Sequence, residues 1–520
     1  MRETEAVPNG SFERAAAARA SPVAYAVESF VLASTSFMGG DRTTKGPVVI
    51  IGAGPAGLTA AYELSKNGVR SLVLEQDDIV GGISRTVSHN GYRFDLGGHR
   101  FFSKVPLINE IWEEILGDEF VTRPRLSRIY YDGHFFHYPL QPVNALAGLG
   151  PAAALGVLGS FLLAKFNPNP VEENFEQWVT NRFGKRLFNI FFKAYTEKVW
   201  GISTKELSAD WAAQRIRDLS LGRAIRHALF GERRGQLTKT LIDRFRYPRL
   251  GPGQMWERCR DLVRERGSEI AMSAPVQRVR WKGNRVTAVA ISRGGAEEEF
   301  ACGELISSAT VRDFFEMLEP NPPEEILTAA RDLRHRDFLV VGLIIDRPHL
   351  FPDNWIYIHT PGVRVGRIQN FKNWSSDMVP DPRRTGLGME YFVWRGDEMW
   401  SSSDDALIAL AAREGESLKL FGAHEVIDGR VVRVPNAYPI YDSNYRENLR
   451  RVRGWLDGIE NLQLVGRQGQ HRYNNQDHSM MTSWYAARNI LGERHDIWDV
   501  NVDADYHEEE TRGEKKGERS

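Results

Sequence analysis

Cysteine is scarce in this chain of 520 residues, which contains only Cys259 and Cys302. Two thiols cannot supply a disulfide framework or a cysteine-based metal cluster, so no metal centre is predicted. Such low cysteine usage is typical of proteins in a reducing compartment, and we expect a cytoplasmic location.

An excess of charge of one sign is also lacking. The chain has 67 basic and 68 acidic residues and a formal net charge of −1. Global charge therefore gives no reason to expect nucleic-acid binding, and only a local basic pocket remains open. Apolar residues make up 42% and charged residues 26%, the balance of a globular protein. The length exceeds that of one compact core, so we expect two or three structural units.

Long apolar runs are rare. One stretch of twenty residues without charge, Ala145–Ala164, is long enough for a membrane span. It contains four glycines, a proline and many alanines, which keep its hydropathy modest. We expect a buried or interfacial helix pair and no membrane span, with peripheral contact to a membrane left open.

Both ends of the chain lack the periodicity of packed elements. Residues 1–44 are rich in Ala and Ser and lack a basic segment followed by a clean apolar run. We expect a flexible extension there and no signal peptide. Residues 503–520 are almost all charged or small, and we expect a disordered tail.

The strongest motif is GAGPAG at residues 52–57, which follows the apolar run VVII and opens a predicted helix from Pro55 to Asn67. A second strand, SLVLE, ends at Glu75, 23 residues after Gly52. Strand, glycine turn, helix, strand and acid together predict dinucleotide binding. The glycines allow a pyrophosphate to approach the backbone closely, and the helix N-terminus stabilises its negative charge. Glu75 can accept a hydrogen bond from a ribose hydroxyl. The residues predicted to form this turn are Gly52, Gly54, Pro55, Ala56 and Gly57.

Later strand-like and helical patterns predict an α/β fold class with α+β insertions. We expect a discontinuous Rossmann-like domain over 45–105, 246–310 and 455–495. A mainly helical substrate domain is predicted over 106–245, and a sheet-containing substrate domain over 311–454.

Two further segments bear on which dinucleotide binds. GGISRTVSHNGYRFDLGGHRFFSK follows the second strand, and VGRQGQHRYNNQDHSMM contains a late strand, a glycine turn and a second helix start. With the first motif, they resemble the FAD-containing amine oxidase and protoporphyrinogen oxidase superfamily over residues 46–495. The resemblance implies FAD as the cofactor. Beyond the first turn it assigns to FAD the residues Glu75, Gly82, Arg85, Gly97, Gly98, His99, Val276, Gly466, Arg467, Asp477 and Met480.

A closer resemblance, to the UDP-galactopyranose mutase family, rests on motifs in a shared order along some 380 residues. They are GGH at 97–99, HYPLQ, EKVWGISTKELSADWAAQRI, VGRIQNF, NAYPIY and the late YNNQDHS. The resemblance implies catalytic roles for His99, Arg215 and Arg367. It implies a substrate site for a nucleotide sugar, with UDP-hexose favoured, made by Tyr138, Gln141, Arg215, Arg367, Tyr438, Tyr473 and Asn475. Taken singly, each arginine is equally typical of a surface salt bridge and each tyrosine of core packing.

The resemblance implies interconversion of pyranose and furanose nucleotide sugars in cell-envelope glycan biosynthesis, through attack of reduced flavin N5 on the anomeric carbon. NAD(P)H is a candidate reductant. His99 would adjust the flavin edge by hydrogen bonding. Its place, 47 residues after Gly52 in the segment expected under the flavin, favours this role over that of a core histidine beside a turn. The alternative function is that of an FAD-dependent oxidoreductase, of the porphyrinogen oxidase, amine oxidase or desaturase type, acting on a small or apolar substrate. The oligomeric state stays open.

Overall fold

The computed structural model describes residues 46–501 apart from 139, 141, 210–239 and 242, together with 509–510. The strands in chain order are β1 (Val48–Ile51), β2 (Ser71–Leu74), β3 (Thr86–His89), β4 (Tyr92–Asp95), β5 (Phe120–Pro124), β6 (Ser127–Tyr131), β7 (His134–His137), β8 (Thr240–Leu241), β9 (Arg244–Pro248), β10 (Glu269–Ala271), β11 (Val276–Lys282), β12 (Arg285–Arg293), β13 (Ala296–Ala301), β14 (Glu304–Ser307), β15 (Leu318–Glu319), β16 (His335–Ile345), β17 (Trp355–Ile358), β18 (Arg367–Asn370), β19 (Thr385–Val393), β20 (Val426–Pro439), β21 (Leu462–Leu464) and β22 (Glu509–Glu510).

The α-helices in chain order are α1 (Pro55–Lys66), α2 (Pro106–Leu116), α3 (Pro142–Leu149), α4 (Pro151–Phe166), α5 (Phe175–Phe183), α6 (Lys185–Leu187), α7 (Ala194–Trp200), α8 (Pro252–Glu265), α9 (Val311–Met317), α10 (Glu324–Arg331), α11 (Phe371–Trp374), α12 (Glu398–Ser401), α13 (Asp404–Ser417), α14 (Tyr445–Leu456), α15 (Gly466–Gly469) and α16 (Gln476–Ile490). A π-helical turn, Phe188–Lys193, links α6 to α7.

A five-stranded parallel sheet, in the order β10-β2-β1-β14-β21, carries the glycine motif. All four residues of β1 are buried, as expected of a parallel strand covered on both faces. The helix α1 follows β1 directly and packs against α16. The predicted α/β fold class is confirmed. The strands of this sheet come from well-separated parts of the chain, while the domain boundaries given above remain predictions.

A seven-stranded mixed sheet, in the order β20-β16-β19-β18-β17-β6-β7, forms the second large unit of structure. Its central strands β16 and β19 are buried along their whole length, so apolar layers cover both faces. Antiparallel register places Arg367 of β18 opposite Glu390 of β19. Arg336 of β16 lies opposite Tyr438 of β20. The sheet therefore brings charged and phenolic side chains from distant segments to one face.

The second sheet extends beyond the range predicted for it. The hairpin β6–β7 lies inside the segment 106–245, which was predicted to be mainly helical, and β6 pairs parallel with β17. Asp132 and Gly133 join the two strands, with φ of +48° and +81°. An Asp-Gly pair suits a tight two-residue hairpin turn, because both positions need a positive φ.

The uncharged stretch 145–164 falls on two helices, α3 and α4, which are separated at Gly150 (φ +80°). Within the described part of the chain, no helix is both long enough and apolar enough to cross a membrane.

Candidate active site

The turn between β1 and α1 exposes the backbone amides at the start of a buried helix. Gly52 has φ +96°, and a Cβ on Gly57 would lie 1.8 Å from the carbonyl oxygen of Gly52. Glycine at both positions is therefore required for this tight turn. Pro55 occupies the first turn of α1, and no side chain caps the helix. The amides and the positive end of the helix dipole are available to a phosphate.

Glu75 and Arg85 lie next to this turn. The Glu75 carboxylate accepts hydrogen bonds from the backbone N–H of Ala53 at 2.6 Å and of Asp77 at 3.0 Å. Burial raises the pKa of Glu75 above its ordinary value. Arg85 forms an ion pair with Asp77 at 2.5 Å, while its Nε atom is buried and has no hydrogen-bond partner among the described residues. A buried donor of this kind requires an acceptor such as a phosphate oxygen.

The remaining predicted cofactor residues near the turn are small or buried. A Cβ on Gly82 would lie 3.3 Å from the Cα of Gly54, so two backbone segments meet closely there. Gly466 has φ +78°, and a Cβ on it would lie 2.9 Å from the Cβ of Ala56. The late glycine turn therefore packs directly on the start of α1. Val276 is buried at the start of β11.

A cleft open to solvent, with about 830 Å³ of space that includes its mouth, lies between the GGH loop, the seven-stranded sheet and the start of α16. Predicted site residues from distant parts of the chain meet there. Those that line the cleft are Gly97, Gly98, His99, Arg367, Tyr438, Arg467, Tyr473, Asn475 and Asp477.

His99 is held in one orientation on the wall of the cleft. Its Nε2 lies 3.1 Å from the carbonyl oxygen of Leu96, to which it can donate. Burial, with the positive charge of Arg467, lowers the pKa of His99 to about 4, so the imidazole is neutral at pH 7. A Cβ on the neighbouring Gly98 would lie 3.2 Å from the Trp374 ring. The loop therefore has little room for a side chain at position 98.

Arg367 joins a buried carboxylate to a phenol. Its Nε donates to Glu390, which is fully buried, and its Nη2 donates to the Tyr438 hydroxyl at 2.8 Å. Gln369 donates to the other Glu390 oxygen at 2.8 Å. The Glu390 charge raises the pKa of Arg367 further above its ordinary value, although burial opposes this rise. Arg367 is therefore a permanent cation with a fixed orientation.

A second arginine lies over a stack of two tyrosines. The rings of Tyr438 and Tyr473 are nearly parallel, with centroids 5.8 Å apart. The Arg467 guanidinium lies 4.6 Å from the Tyr473 ring and donates through Nε to the carbonyl oxygen of Asn474 at 2.8 Å. Two fixed guanidinium groups and two phenols thus share one cleft. Such a set of donors can hold a doubly charged anionic group.

The start of α16 contributes polar groups to the same cleft. Asn475 precedes the helix, and its backbone N–H donates to His478 Nδ1 at 3.2 Å. Asp477 is buried in the first turn. Met480, by contrast, is fully buried, accepts a hydrogen bond from Trp112 Nε1 at 3.2 Å and does not line the cleft.

Tyr138 lies away from the lining of the cleft. Its ring packs against Tyr357 with centroids 4.5 Å apart, and the Arg125 guanidinium lies 5.7 Å from it. Tyr357 is the register partner of Arg367 on the neighbouring strand, so Tyr138 is close to the arginine that lines the cleft. Gln141 and Arg215 lie outside the described residues.

Glu390, Gln369 and Tyr195 were not anticipated from the sequence. Tyr195 stacks on His359, with centroids 4.3 Å apart, and burial raises its pKa, while the nearby charge of Arg367 opposes the rise. Glu390 did leave a signal, since it is the only charged residue in the strand sequence TGLGMEYFV. A lone acid in a buried strand requires a partner, which here is Arg367.

These features fit FAD. The glycine turn and the uncapped helix suit its pyrophosphate, and the buried Arg85 Nε atom provides a donor without a partner. The narrow GGH loop borders a cleft on the same side as the late glycine turn.

Comparison with known proteins extends the assignment. A sequence model described as flavin containing amine oxidoreductase matches residues 55–491. All-trans-retinol 13,14-reductase from Rattus norvegicus is 26% identical over an alignment of 307 residues, and the match covers 52% of this chain and 48% of that protein. A 1-hydroxycarotenoid 3,4-desaturase from Flavobacterium sp. (strain P99-3) is 24% identical over 306 residues, 54% of this chain and 61% of that protein. The chain therefore spans about half to three fifths of the length of these relatives.

Solved structures give a likeness over more of the chain. Reduced UDP-galactopyranose mutase superposes with a TM-score of 0.77 at 23% identity, covering 87% of this chain and 96% of that one. Putrescine oxidase bound to putrescine has a TM-score of 0.58 at 17% identity, covering 86% and 99%. At these identities, the likeness shows a shared fold.

Proposed function

The chain belongs to the family of flavin-containing amine oxidoreductases and is an FAD-dependent enzyme, and from that premise we propose that it is a nucleotide-sugar mutase. The reaction proposed is pyranose–furanose interconversion of a nucleotide sugar. The observation that carries the proposal is the joining of Arg367, Tyr438, Tyr473 and Arg467 in one cleft beside the GGH loop.

The cofactor would be held by this chain in two places. The turn at residues 52–57, with Glu75 and Arg85, suits the dinucleotide. The GGH loop and the late glycine turn suit the ring end. When bound and reduced, FAD supplies a nucleophile for the anomeric carbon of the sugar.

Arg367 and its partners would stabilise the leaving diphosphate. A nucleotide leaving group carries its negative charge into the cleft, where fixed donors act without the reorganisation that water needs. Arg367 offers guanidinium N–H groups held by Glu390, and Tyr438 offers a hydroxyl within the same hydrogen-bonded set. Arg467 adds a second positive charge above Tyr473. This combination suits a diphosphate better than it suits an apolar substrate.

His99 would help to position the cofactor and would not donate or accept a proton in the reaction. A pKa of about 4 leaves the imidazole neutral at pH 7, which makes it a poor acid. Its hydrogen bond to the carbonyl of Leu96 fixes the ring at the wall of the cleft. In this position, His99 would support the bound cofactor, and Arg367 would hold the diphosphate of the sugar nucleotide.

The test is turnover without net electron transfer. Enzyme reduced with dithionite under nitrogen is mixed with UDP-galactopyranose, and the products are separated by anion-exchange chromatography. We expect a furanose product over many turnovers, with the flavin still reduced and no acceptor consumed, and no product from oxidised enzyme. The proposal is wrong if UDP-, dTDP- and GDP-hexopyranoses all remain unconverted and UDP leaves the flavin spectrum unchanged.

An FAD-dependent oxidoreductase acting on an apolar substrate is the second candidate. The observation that favours it is the sequence match, over about half of the chain, to proteins named retinol reductase and carotenoid desaturase. Such a reaction would consume one equivalent of an electron donor or acceptor per product. Stoichiometric flavin reduction or reoxidation with all-trans-retinol or a carotenoid, and silence toward nucleotide sugars, would support it. Arg367, Tyr438 and Tyr473 would then lack a role in binding substrate.

A further inference from the structure

The helix α4 carries the largest concentration of exposed apolar side chains in the described part of the chain. Eight large apolar residues are exposed among all the described residues, and five of them fall between positions 155 and 171. We call these five the α4 face: Leu155, Leu162, Leu163 and Phe166 on α4, and Val171, five residues beyond the end of the helix. Leu163 is 71% exposed and Phe166 is 87% exposed, which a water-facing helix does not favour.

The opposite side of the helix packs against the rest of the fold, so the α4 face points toward solvent. Val157 and Phe161 are buried, and they anchor α4 to the rest of the fold. Leu155, Gly159, Leu162 and Phe166 recur at intervals of four, three and four residues, which places them along one stripe of a helix. The stripe runs for about 17 Å at the helical rise of 1.5 Å per residue. It is too short to span a bilayer but suits a helix that lies flat on one.

Basic side chains border the helical part of the α4 face, while the acids Glu172 and Glu173 follow Val171 beyond the helix. Residues 142–171 include no Asp or Glu, while Lys165 is exposed at the end of the helix. Arg186 is also exposed, and its guanidinium lies against Gly156, where an added Cβ would meet its Nη1 at 2.2 Å. Its backbone N–H donates to Ser160 Oγ at 3.0 Å, which ties α6 to α4. An apolar stripe bordered by cations matches the boundary between acyl chains and anionic headgroups.

We propose that the α4 face docks on the surface of an anionic membrane, with α4 lying in the plane of the interface. A second copy of the chain fits less well. An isologous contact would bring Lys165 and Arg186 of both copies together, and α4 itself offers no acid to compensate; the nearby Glu172 already pairs with Arg182. The proposal concerns a surface outside the cleft and does not depend on the reaction that the cleft performs.

The test is co-sedimentation of the full-length holoprotein with vesicles of phosphatidylcholine alone or with 30% phosphatidylglycerol. We expect binding to the anionic vesicles that weakens as salt is raised. Leu162→Glu/Leu163→Glu should lower the partition coefficient at least about tenfold, because two exposed leucines that would enter the membrane are replaced by charges. Lys165→Glu should lower it less, and mainly at low salt.

Ile427→Glu is the matched control, since Ile427 is 46% exposed on β20 and lies outside the α4 face. It should bind as the wild type does. All variants should keep the flavin spectrum and thermal midpoint of the wild type. The proposal is overturned if neither vesicle is bound, or if Leu162→Glu/Leu163→Glu binds as well as Ile427→Glu. A dimer in light scattering that this double variant dissociates, without vesicle binding, would assign the face to a second copy instead.

Discussion

The cofactor turn and the cleft wall that carries the arginine–tyrosine cluster are built on different principles. The turn is local: six consecutive residues, 52–57, form it, and its shape depends on the missing side chains of Gly52 and Gly57. The arginine–tyrosine cluster is assembled from distant strands, since Arg367 meets Glu390 23 residues away and Tyr438 71 residues away. The turn depends on steric fit, so an added side chain should abolish it outright. The arginine–tyrosine cluster depends on electrostatic contacts, so different substitutions in it should lower activity by different amounts.

Gly57→Val should have the largest effect, because it places a side chain inside the turn, whose shape depends on steric fit. Any Cβ at position 57 would lie 1.8 Å from the Gly52 carbonyl oxygen, and the backbone cannot yield without opening the turn. We expect protein purified without FAD, seen as loss of absorbance near 450 nm relative to that at 280 nm. Gly454→Ala is the control, because a Cβ there has no neighbour within 4 Å. A Gly57→Val protein with full flavin content would remove the steric explanation.

Arg367→Lys should retain FAD but lower kcat/KM for the nucleotide sugar by about 100-fold. One guanidinium reaches Glu390 and Tyr438 together, whereas a single ammonium cannot keep both contacts and the same orientation. Losing a charge-assisted bond at the leaving group costs about 3 kcal/mol, which is about 100-fold. Steady-state kinetics of the reduced enzyme provides the measurement. Arg433→Lys is the control, since Arg433 of β20 pairs with Asp404 at the start of α13.

Glu390→Gln tests how much the buried charge next to Arg367 contributes to activity. Glutamine can still contact Arg367 but removes the buried charge that orients it, so we expect a loss of about tenfold in kcat/KM. In the double variant with Arg367→Lys, the two losses should not add, because Glu390 acts through Arg367. Additive losses would show that Glu390 stabilises the sheet independently, and an unchanged thermal midpoint together with non-additivity would support its positioning role.

His99→Ala should lower kcat by about 30-fold and leave most FAD bound, since the imidazole lines the cleft but is neutral. The variant should also alter the response to acid. The folded pKa of about 4 lies below the ordinary 6.5, so the unfolded chain binds more protons between these values. Stability from neutral His99 is present above pH 6.5 and is lost as the pH falls toward 4.

The wild type should therefore lose thermal stability more steeply than His99→Ala between pH 6.5 and 4. His134→Ala removes an exposed histidine from the β6–β7 hairpin and serves as the control. Identical pH profiles for wild type and His99→Ala would contradict the assignment of a neutral imidazole in the cleft wall.

The same contrast explains what could be predicted from the sequence. The turn at 52–57 and Glu75 were predictable, because strand, glycines, helix and acid follow one another within one supersecondary unit. The late residues Arg467 and Tyr473 were found through ordered motifs, not from geometry. Glu390 was missed because its meaning depends on antiparallel register with β18, which no short window of sequence contains. The β6–β7 hairpin was missed for a different reason: the composition of the whole segment 106–245 favoured helix, although the Asp132–Gly133 turn signal was present.

Tyr473→Phe should have the smallest effect and separates the two roles of an aromatic residue in the cleft. The ring would remain stacked on Tyr438 and beneath Arg467, at centroid and cation distances of 5.8 Å and 4.6 Å. Only the hydroxyl is lost, and one neutral hydrogen bond is worth about 1 kcal/mol, which corresponds to about fivefold. We expect KM to rise about fivefold with little change in kcat, because the diphosphate is contacted both before and during departure. Tyr473→Ala, which removes the platform under Arg467, should cost at least ten times more than Tyr473→Phe. If the two variants are equally impaired, the hydroxyl carries the whole contribution, and the stack below Arg467 is packing alone.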